Sequence, residues 1–193
     1  GCVQDSISGN YTLTKDFEMS RQDAMDVLSA VGITDFSKLP KKAMIDGKDV
    51  FSVLLPNDFD YEGHSRLYDP SKESNEKDAY VVIEEGRLIS GVMDRASLGE
   101  ESGHLLRSIH QKYGKDYTIR ILQMLFRLGI EVLLRKGFTS GLGDTDLPGE
   151  AKLKIKETLD KANRDVISLI GSYHENRLEV LPGKTALETL ELR

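Results

Sequence analysis

Apolar residues recur every three or four positions in four stretches of the chain, which is the spacing of one helix face. Ser20 is a suitable N-cap for the first stretch, and Gly32 follows its last turn. Gly114 ends the second stretch, and Pro182 with Gly183 separates the last two. The four predicted helices cover residues 21–31, 102–113, 150–173 and 185–192.

A fifth predicted helix, residues 117–136, carries apolar side chains around nearly its whole circumference. Such a helix is expected to lie inside the structure, packed on several sides. Lys136 gives it a basic last turn, and Gly137 suits the position after its end.

The clearest β-structure is predicted in the middle of the chain. Residues 80–83 and 88–93 are rich in β-branched and other apolar side chains, and Gly86 lies in the short turn between them. Because glycine readily adopts the positive φ that tight hairpin turns require, this pattern predicts a β-hairpin.

Three further segments have less decided patterns. Residues 1–14 fit either a strand or a helix, and residues 49–55 predict one short buried element that ends at Pro56. Residues 69–78 are polar, charged and rich in turn formers, which predicts an exposed, mobile loop.

Together these elements predict an α+β fold in two parts. Residues 1–147 form a mixed module that contains the β-hairpin and the long buried helix, and residues 148–193 form a helical segment. The boundary is set by a shift in composition near residue 147.

Composition narrows the class of protein. The 193 residues carry a formal net charge of −6, which argues against a free-standing nucleic-acid binder. The single cysteine, Cys2, rules out a disulfide framework and suits a reducing cytosol, so we expect a cytoplasmic protein. The strongly apolar residues 121–126 are far too few for a membrane span, and no membrane partner is expected. Because the chain begins without methionine and stops at Arg193 within a helical pattern, we expect a segment cut from a longer protein.

Two carboxylates give the most suggestive chemical signal. Asp58 and Asp60 are two residues apart, a spacing that can serve a hard cation such as Mg²⁺. After Pro56, a solvated acidic loop is the favoured interpretation, and a small metal-dependent hydrolase is the alternative.

The other polar signals favour structural interpretations. His64, His104, His110 and His174 are too scattered for a zinc site. The basic residues within 152–164 could form a stripe for RNA or a protein partner, but they alternate with acidic residues, which favours a solvated helix face. The sequence assembles no nucleophile, base and electrophile, so we assign no catalytic residue and no metal ligand.

A glycine-punctuated segment follows the long helix. It lacks the third glycine of a dinucleotide fingerprint and the Gly-Lys-Ser/Thr of a P-loop. We interpret it as a structural motif whose glycines let the backbone pass close to the buried helix. Its members are Gly137, Phe138, Gly141, Gly143 and Asp144.

Five strings of the sequence, in this order, resemble segments of the largest subunit of multisubunit cellular RNA polymerases. They are GCVQDSISG (1–9, followed by Leu13-Thr14), GKDVFSVLLP (47–56), GRLISGVMD (86–94, followed by Leu98-Gly99), GFTSGLGD (137–144) and LEVLPGKT (178–185). The fourth string is the most specific, and the fifth is similar to the archaeal form of the subunit, the A′ chain. The resemblance covers the whole chain with order and spacing kept.

The resemblance implies a position within a DNA-directed RNA polymerase. Residues 1 to about 145 would correspond to the pore region, and the rest to the start of the funnel. In the family these line the secondary channel, by which nucleoside triphosphates enter and the 3′ end of a backtracked transcript leaves. Transcript-cleavage factors dock on the funnel, and the remaining subunits, template DNA and RNA complete the partners.

The resemblance also implies that this segment is non-catalytic. The family's aspartate triad, which holds Mg²⁺, lies upstream of the Gln-Asp segment and is absent here, so no cofactor is expected in the segment itself. Gln4 and Asp5, in the matched string nearest the catalytic loop, are the candidates for facing the active centre. Alone, the segment is expected neither to extend RNA nor to bind duplex DNA tightly. The alternative from another class is an independent adaptor that binds a protein through the helix around residues 152–170.

Overall fold

The computed structural model describes residues 1–72 and 75–192 and has an α+β fold, as predicted. Within those residues it contains seven α-helices and five short strands. The helices are α1 (Asp5–Asp16), α2 (Arg21–Ala30), α3 (Gly47–Val53), α4 (Arg95–Leu98), α5 (His104–Lys136), α6 (Gly149–His174) and α7 (Ala186–Leu192). The strands are β1 (Glu18–Ser20), β2 (Met44–Asp46), β3 (Tyr61–His64), β4 (Tyr80–Glu84) and β5 (Arg87–Ser90).

The chain divides into two compact units, with the division between Phe138 and Thr139. The first unit, Gly1–Phe138, holds all the strands and helices α1 to α5, and the second holds α6 and α7. The predicted domain boundary at residue 147 concerns the organisation of a longer protein and stays a prediction.

Helix α1 lies at the centre of the first unit and crosses α5 with backbone touching backbone. A Cβ added to Gly9 would lie 1.9 Å from the carbonyl oxygen of Gly129, and one added to Gly129 would lie 2.2 Å from that of Ser6. The buried Asn10 donates from Nδ2 to the carbonyl oxygens of Ser6 (2.7 Å) and Leu125 (2.8 Å), so it links the two helices. Residues 1–14, for which the sequence allowed a strand or a helix, therefore contain most of a helix, which packs closely on α5 at Gly9 and Gly129.

Thr14 connects α1 to the segment after β5. Its Oγ1 donates to the carbonyl oxygen of Asn10 (2.8 Å) and accepts from the backbone N–H of Met93 (2.8 Å). Thr14 and Met93 are both buried, so this hydroxyl satisfies a backbone donor that water does not reach.

Helix α5 joins two of the predicted helices across a kink at Gly114, where φ is 78° and ψ is 179°. Its buried residues form one stripe: Leu105, Leu106, Ile109, Ile121, Leu125, Leu128, Gly129 and Val132. The prediction that the helix is packed on several sides is wrong in this structure, because Ile119, Phe126 and Leu134 are 59%, 40% and 74% exposed. Apolar residues around a whole circumference thus mark a second face that the described part of the chain does not cover.

The β-hairpin is confirmed, and it belongs to a three-stranded antiparallel sheet of order β3-β4-β5. Glu85 and Gly86 form its turn with φ of 47° and 69°. A separate antiparallel pair, β1 and β2, aligns Met19 with Ile45. Ser20 caps α2 by accepting from the backbone N–H of Asp23, as its sequence position indicated.

The polar segment 69–78 is mostly exposed, as expected, and it is fastened at its base. Asn75 accepts from the backbone N–H of Asp69 (2.8 Å) and donates to the carbonyl oxygen of the same residue (2.9 Å). Within the predicted mobile loop, Glu73 and Ser74 lie outside the described residues.

The second unit confirms both predicted helices near the end of the chain. Thr189 of α7 is buried and accepts from the backbone N–H of Leu181 at 3.1 Å. Helix α6 has no buried residue, and its apolar side chains Leu153, Leu159 and Ile167 are all more than 60% exposed. Among the described residues, no helix has the length and apolarity that crossing a membrane requires.

Candidate functional site

Gln4 and Asp5 lie at the start of α1, on an exposed edge of the first unit. Gln4 has a φ of 42°, a conformation that costs a non-glycine residue roughly 1–3 kcal/mol. Its neighbours hold the turn, since Ser6 donates from Oγ to the carbonyl oxygen of Val3 (2.6 Å) and accepts from its N–H (3.1 Å). The strained backbone presents Gln4 to an open depression of about 420 Å³. That Gln4 and Asp5 face an active centre stays a prediction.

The two acidic residues of the predicted loop, Asp58 and Asp60, bind different parts of the structure. Asp58 accepts from Tyr113 Oη at 2.8 Å and pairs with Lys112 at 3.4 Å, which fastens the loop to α5 just before the kink. The hydrogen bond from Tyr113 lowers the pKa of Asp58, and the Lys112 charge adds to this effect. Asp60 instead accepts from the backbone N–H of Glu85 at 2.7 Å and so closes the hairpin turn. No group of three metal-binding side chains occurs in residues 1–72 and 75–192.

This geometry gives a direct test of the metal-dependent hydrolase alternative. We expect the double variant Asp58→Asn/Asp60→Asn to show the same negligible Mg²⁺ binding as the parent chain in a calorimetric titration, because both carboxylates are already engaged by protein donors. Saturable Mg²⁺ binding by the parent that the double variant loses would restore the hydrolase hypothesis.

The glycine-rich segment after α5 forms a local turn. Gly137 has a φ of 75° and donates its N–H to the carbonyl oxygen of Leu133 (2.7 Å), which ends the helix as the sequence predicted. Asp144 accepts from the N–H of Gly141 at 2.7 Å. A Cβ at Gly143 would meet no atom within 4 Å, and the close approach of these glycines to the long helix stays a prediction. Phe138 is 65% exposed, so the segment is closed by its own hydrogen bonds rather than by burial.

A polar cavity of about 310 Å³ lies between α3 and the hairpin turn. Lys38 enters it and donates to the carbonyl oxygen of Leu55, and burial together with the Arg87 charge lowers the pKa of Lys38. Asp49 lines the same cavity, where burial raises its pKa. Because Glu85 also contributes a carboxylate, the charges balance, and the cavity has neither the net charge of an anion site nor a nucleophile beside a base.

Cys2 behaves as the small buried residue that the sequence indicated. It is 1% exposed, and burial raises the pKa of its thiol. His104 and His110 are both exposed, whereas Cys2 is buried, and Cys2 has no histidine close to it in the sequence. The thiol is thus neither accessible nor activated.

We expect iodoacetamide to alkylate Cys2 of the folded chain at least about a hundredfold more slowly than in concentrated urea, because the thiolate is both scarce and shielded. Mass spectrometry of timed samples at mildly alkaline pH would measure both rates. Equal rates would show that the N-terminal segment is not packed as described.

Three aromatic rings that sequence reasoning did not connect lie together at one end of the three-stranded sheet. The rings of His64 and Tyr68 are stacked, with centroids 4.0 Å apart and planes 16° apart. Tyr80 stands edge-on to both, at 5.7 Å and 5.6 Å. Only the pairing of β3 with β4 reveals this cluster, because it places His64 directly opposite Tyr80.

Comparison with known proteins gives the class of protein to which these features belong. A family model described as RNA polymerase Rpb1, domain 3, matches residues 1–145 of the 193. The chain belongs to this family.

The relatives narrow the identification to one kind of polymerase subunit. The DNA-directed RNA polymerase subunit Rpo1N of Methanocaldococcus jannaschii is 34% identical over 99% of this chain and 15% of its own length. The Rpo1N subunits of Methanothermobacter thermautotrophicus and Sulfolobus acidocaldarius are 36% and 30% identical over 100% and 99% of the chain. The chain spans 22% and 23% of the lengths of those two relatives. The resemblance to the archaeal largest subunit is thereby confirmed.

Proposed function

We propose that this chain serves as a non-catalytic segment of an archaeal DNA-directed RNA polymerase, where it shapes the pore and presents the start of the funnel of the secondary channel. The observation that carries the proposal is the family match over residues 1–145, extended to nearly the whole chain by relatives named as polymerase subunits. In this role the chain works in the cytoplasm as part of a nucleotidyltransferase.

The chemistry of RNA synthesis would then belong to other parts of the enzyme. The parent polymerase joins ribonucleotides on a DNA template with Mg²⁺ held outside this segment. The segment's own residues give a rigid wall, because α1 is locked to α5 through Gly9, Gly129 and Asn10. Nucleoside triphosphates entering the channel, and a backtracked RNA 3′ end leaving it, would pass along this wall.

Contacts with neighbouring polymerase subunits, and with a transcript-cleavage factor at the funnel, are supported by uncovered apolar surface. The second face of α5 exposes Ile119 and Phe126, and α6 exposes Leu153 and Leu159. Single exposed apolar residues are common, but a series of them along one helix is typical of a surface that a partner covers. An independent adaptor that binds through α6 alone does not explain why α5 also has an exposed apolar face. A segment of a polymerase, with partners on several sides, explains both surfaces and is the better supported function.

An antibody raised against this chain tests the assignment in native source cells. We expect a band much larger than 21.6 kDa that sediments with template-dependent RNA synthesis. A band at 21.6 kDa outside any large complex would overturn the proposal and favour the adaptor.

The position in the channel needs a second experiment. A photoreactive amino acid is introduced at Gln4 of the assembled polymerase and, as the matched control, at the exposed Gln22 of α2. We expect crosslinks from position 4, and none from position 22, to the RNA 3′ end of backtracked complexes. Equal crosslinking from both positions, or none from position 4, would contradict the placement of Gln4 and Asp5.

A further inference from the structure

The aromatic cluster of His64, Tyr68 and Tyr80 lies on the solvent-facing side of the three-stranded sheet. Side chains alternate in β3 and β4, and His64 and Tyr80 fall on the exposed side of that alternation. Tyr80 is 39% exposed, and His64 is also exposed. One face of the imidazole packs on Tyr68, and because His64 is exposed, part of its ring is accessible to a further planar ring.

The cluster is held rigidly although it lies at a loop. The buried Ser65 donates from Oγ to the carbonyl oxygen of Asp78 (3.0 Å), and its own N–H donates to that of Ala79 (3.0 Å). The N–H of Arg66 donates to the buried carboxylate of Asp94 at 2.6 Å. These bonds fix the ring positions before any ligand arrives, which reduces the entropy lost on binding.

The charges around the cluster suit a nucleotide without making the surface strongly basic. Arg66 lies between His64 and Tyr68 in sequence, Lys77 precedes Tyr80 by three residues, and neither side chain forms an ion pair with another described residue. Asp78 is paired with Lys48 at 3.3 Å. In the sequence Glu62 precedes His64 by two residues and Glu76 precedes Tyr80 by four, so acidic and basic side chains flank the rings in equal number.

We infer that this aromatic cluster is a stacking site for a nucleobase of single-stranded RNA, with Arg66 and Lys77 available to one or two phosphates. The inference deepens the proposed function, since it rests on RNA passing along this segment. Stacking on aromatic side chains tolerates any base, which suits a channel wall that must accept every sequence. Because few phosphates are contacted, binding is weak and depends little on salt.

Binding of a labelled hexameric oligoadenylate RNA to the 193-residue chain, measured by fluorescence anisotropy, tests the inference. We expect His64→Ala and Tyr68→Leu each to weaken binding by about tenfold. The matched control is Tyr173→Leu on α6, which removes one ring of the Tyr173–His174 pair and should leave the affinity unchanged. Melting curves of all variants would verify that the exposed substitutions leave the fold intact.

Two further probes separate stacking from charge and RNA from free nucleotide. An abasic hexamer of the same length should bind at least about tenfold more weakly, and the slope of log affinity against log salt should stay below about 2. If ATP competes as well as unlabelled hexamer at the same concentration of nucleotides, the base that stacks on the cluster comes from an incoming nucleotide rather than from RNA.

Equal binding by the ring variants and the parent, or by the abasic and normal hexamers, would overturn the inference. An absence of RNA binding would also overturn it. If the antibody nevertheless detects the chain within the polymerase, the proposed function still stands. If RNA is not bound and the rings are instead protected by a polymerase subunit, the cluster is a protein contact.

Discussion

Replacing Gly129 with alanine should lower the free energy of unfolding by about 3 kcal/mol, at the upper end of the range for overpacked sites. The new Cβ would lie 2.2 Å from the carbonyl oxygen of Ser6 and 2.9 Å from Asn10 Nδ2. Backbone atoms cannot rotate away as a side chain can, so α1 and α5 would have to separate, and the hydrogen bond from Asn10 to Leu125 would lengthen. Alanine is the better helix former, by about 1 kcal/mol, so helix propensity alone predicts the opposite sign.

Urea unfolding followed by circular dichroism would measure the change. Gly171→Ala is the matched control, because Gly171 also lies within a helix but a Cβ there would meet nothing within 4 Å. We expect this control to be neutral or to stabilise by up to about 1 kcal/mol. An unfolding midpoint of Gly129→Ala at or above that of the parent would show that the two helices do not cross as closely as described.

The second large effect is expected for Thr14→Val, which should cost about 2 kcal/mol. Valine has nearly the shape of threonine, so packing is kept while the hydroxyl is lost. The buried N–H of Met93 then has no acceptor in place of Oγ1, and a buried donor without a partner costs far more than a hydrogen bond normally contributes.

Thr158→Val supplies the comparison for this prediction. Thr158 makes the same kind of bond to its own helix, from Oγ1 to the carbonyl oxygen of Lys154 (2.8 Å), but it is exposed. We expect its loss to change stability by no more than about 0.5 kcal/mol. Equal losses in the two variants would mean that the helix bond, rather than the Met93 N–H, sets the cost.

The elements that the sequence predicted well are those whose signals are local. Ser20 caps α2 through a residue three positions away, and Gly86 supplies the turn between two adjoining strands. Helix α6 was found because its period is sustained over 26 residues. Strands β1, β2 and β3 were missed because segments of three or four residues are too short for a period to emerge. Strand β5 is equally short, but the longer apolar run 88–93 and the glycine turn before it made it recognisable.

The remaining features depend on residues far apart in the sequence. Gly9 and Gly129 define the central helix crossing, and neither glycine has a local signal that names the other. In the same way His64 was judged alone, as one of four scattered histidines, until strand pairing brought it opposite Tyr80. Resemblance to a known family supplied what the residue patterns alone did not, since none of those patterns points to a particular reaction.

The β4–β5 turn has a consequence for the order of folding. Its two amides are satisfied from outside the hairpin: Gly86 donates to the carbonyl oxygen of Phe59 at 2.8 Å, and Glu85 donates to Asp60 at 2.7 Å. An isolated hairpin closes in about 1–10 μs, but this tip must wait for a segment 25 residues earlier in the chain, which adds a loop-closure step. We therefore expect the tip to form after the folding transition state, so that weakening the Asp60 bond speeds unfolding and leaves the folding rate nearly unchanged.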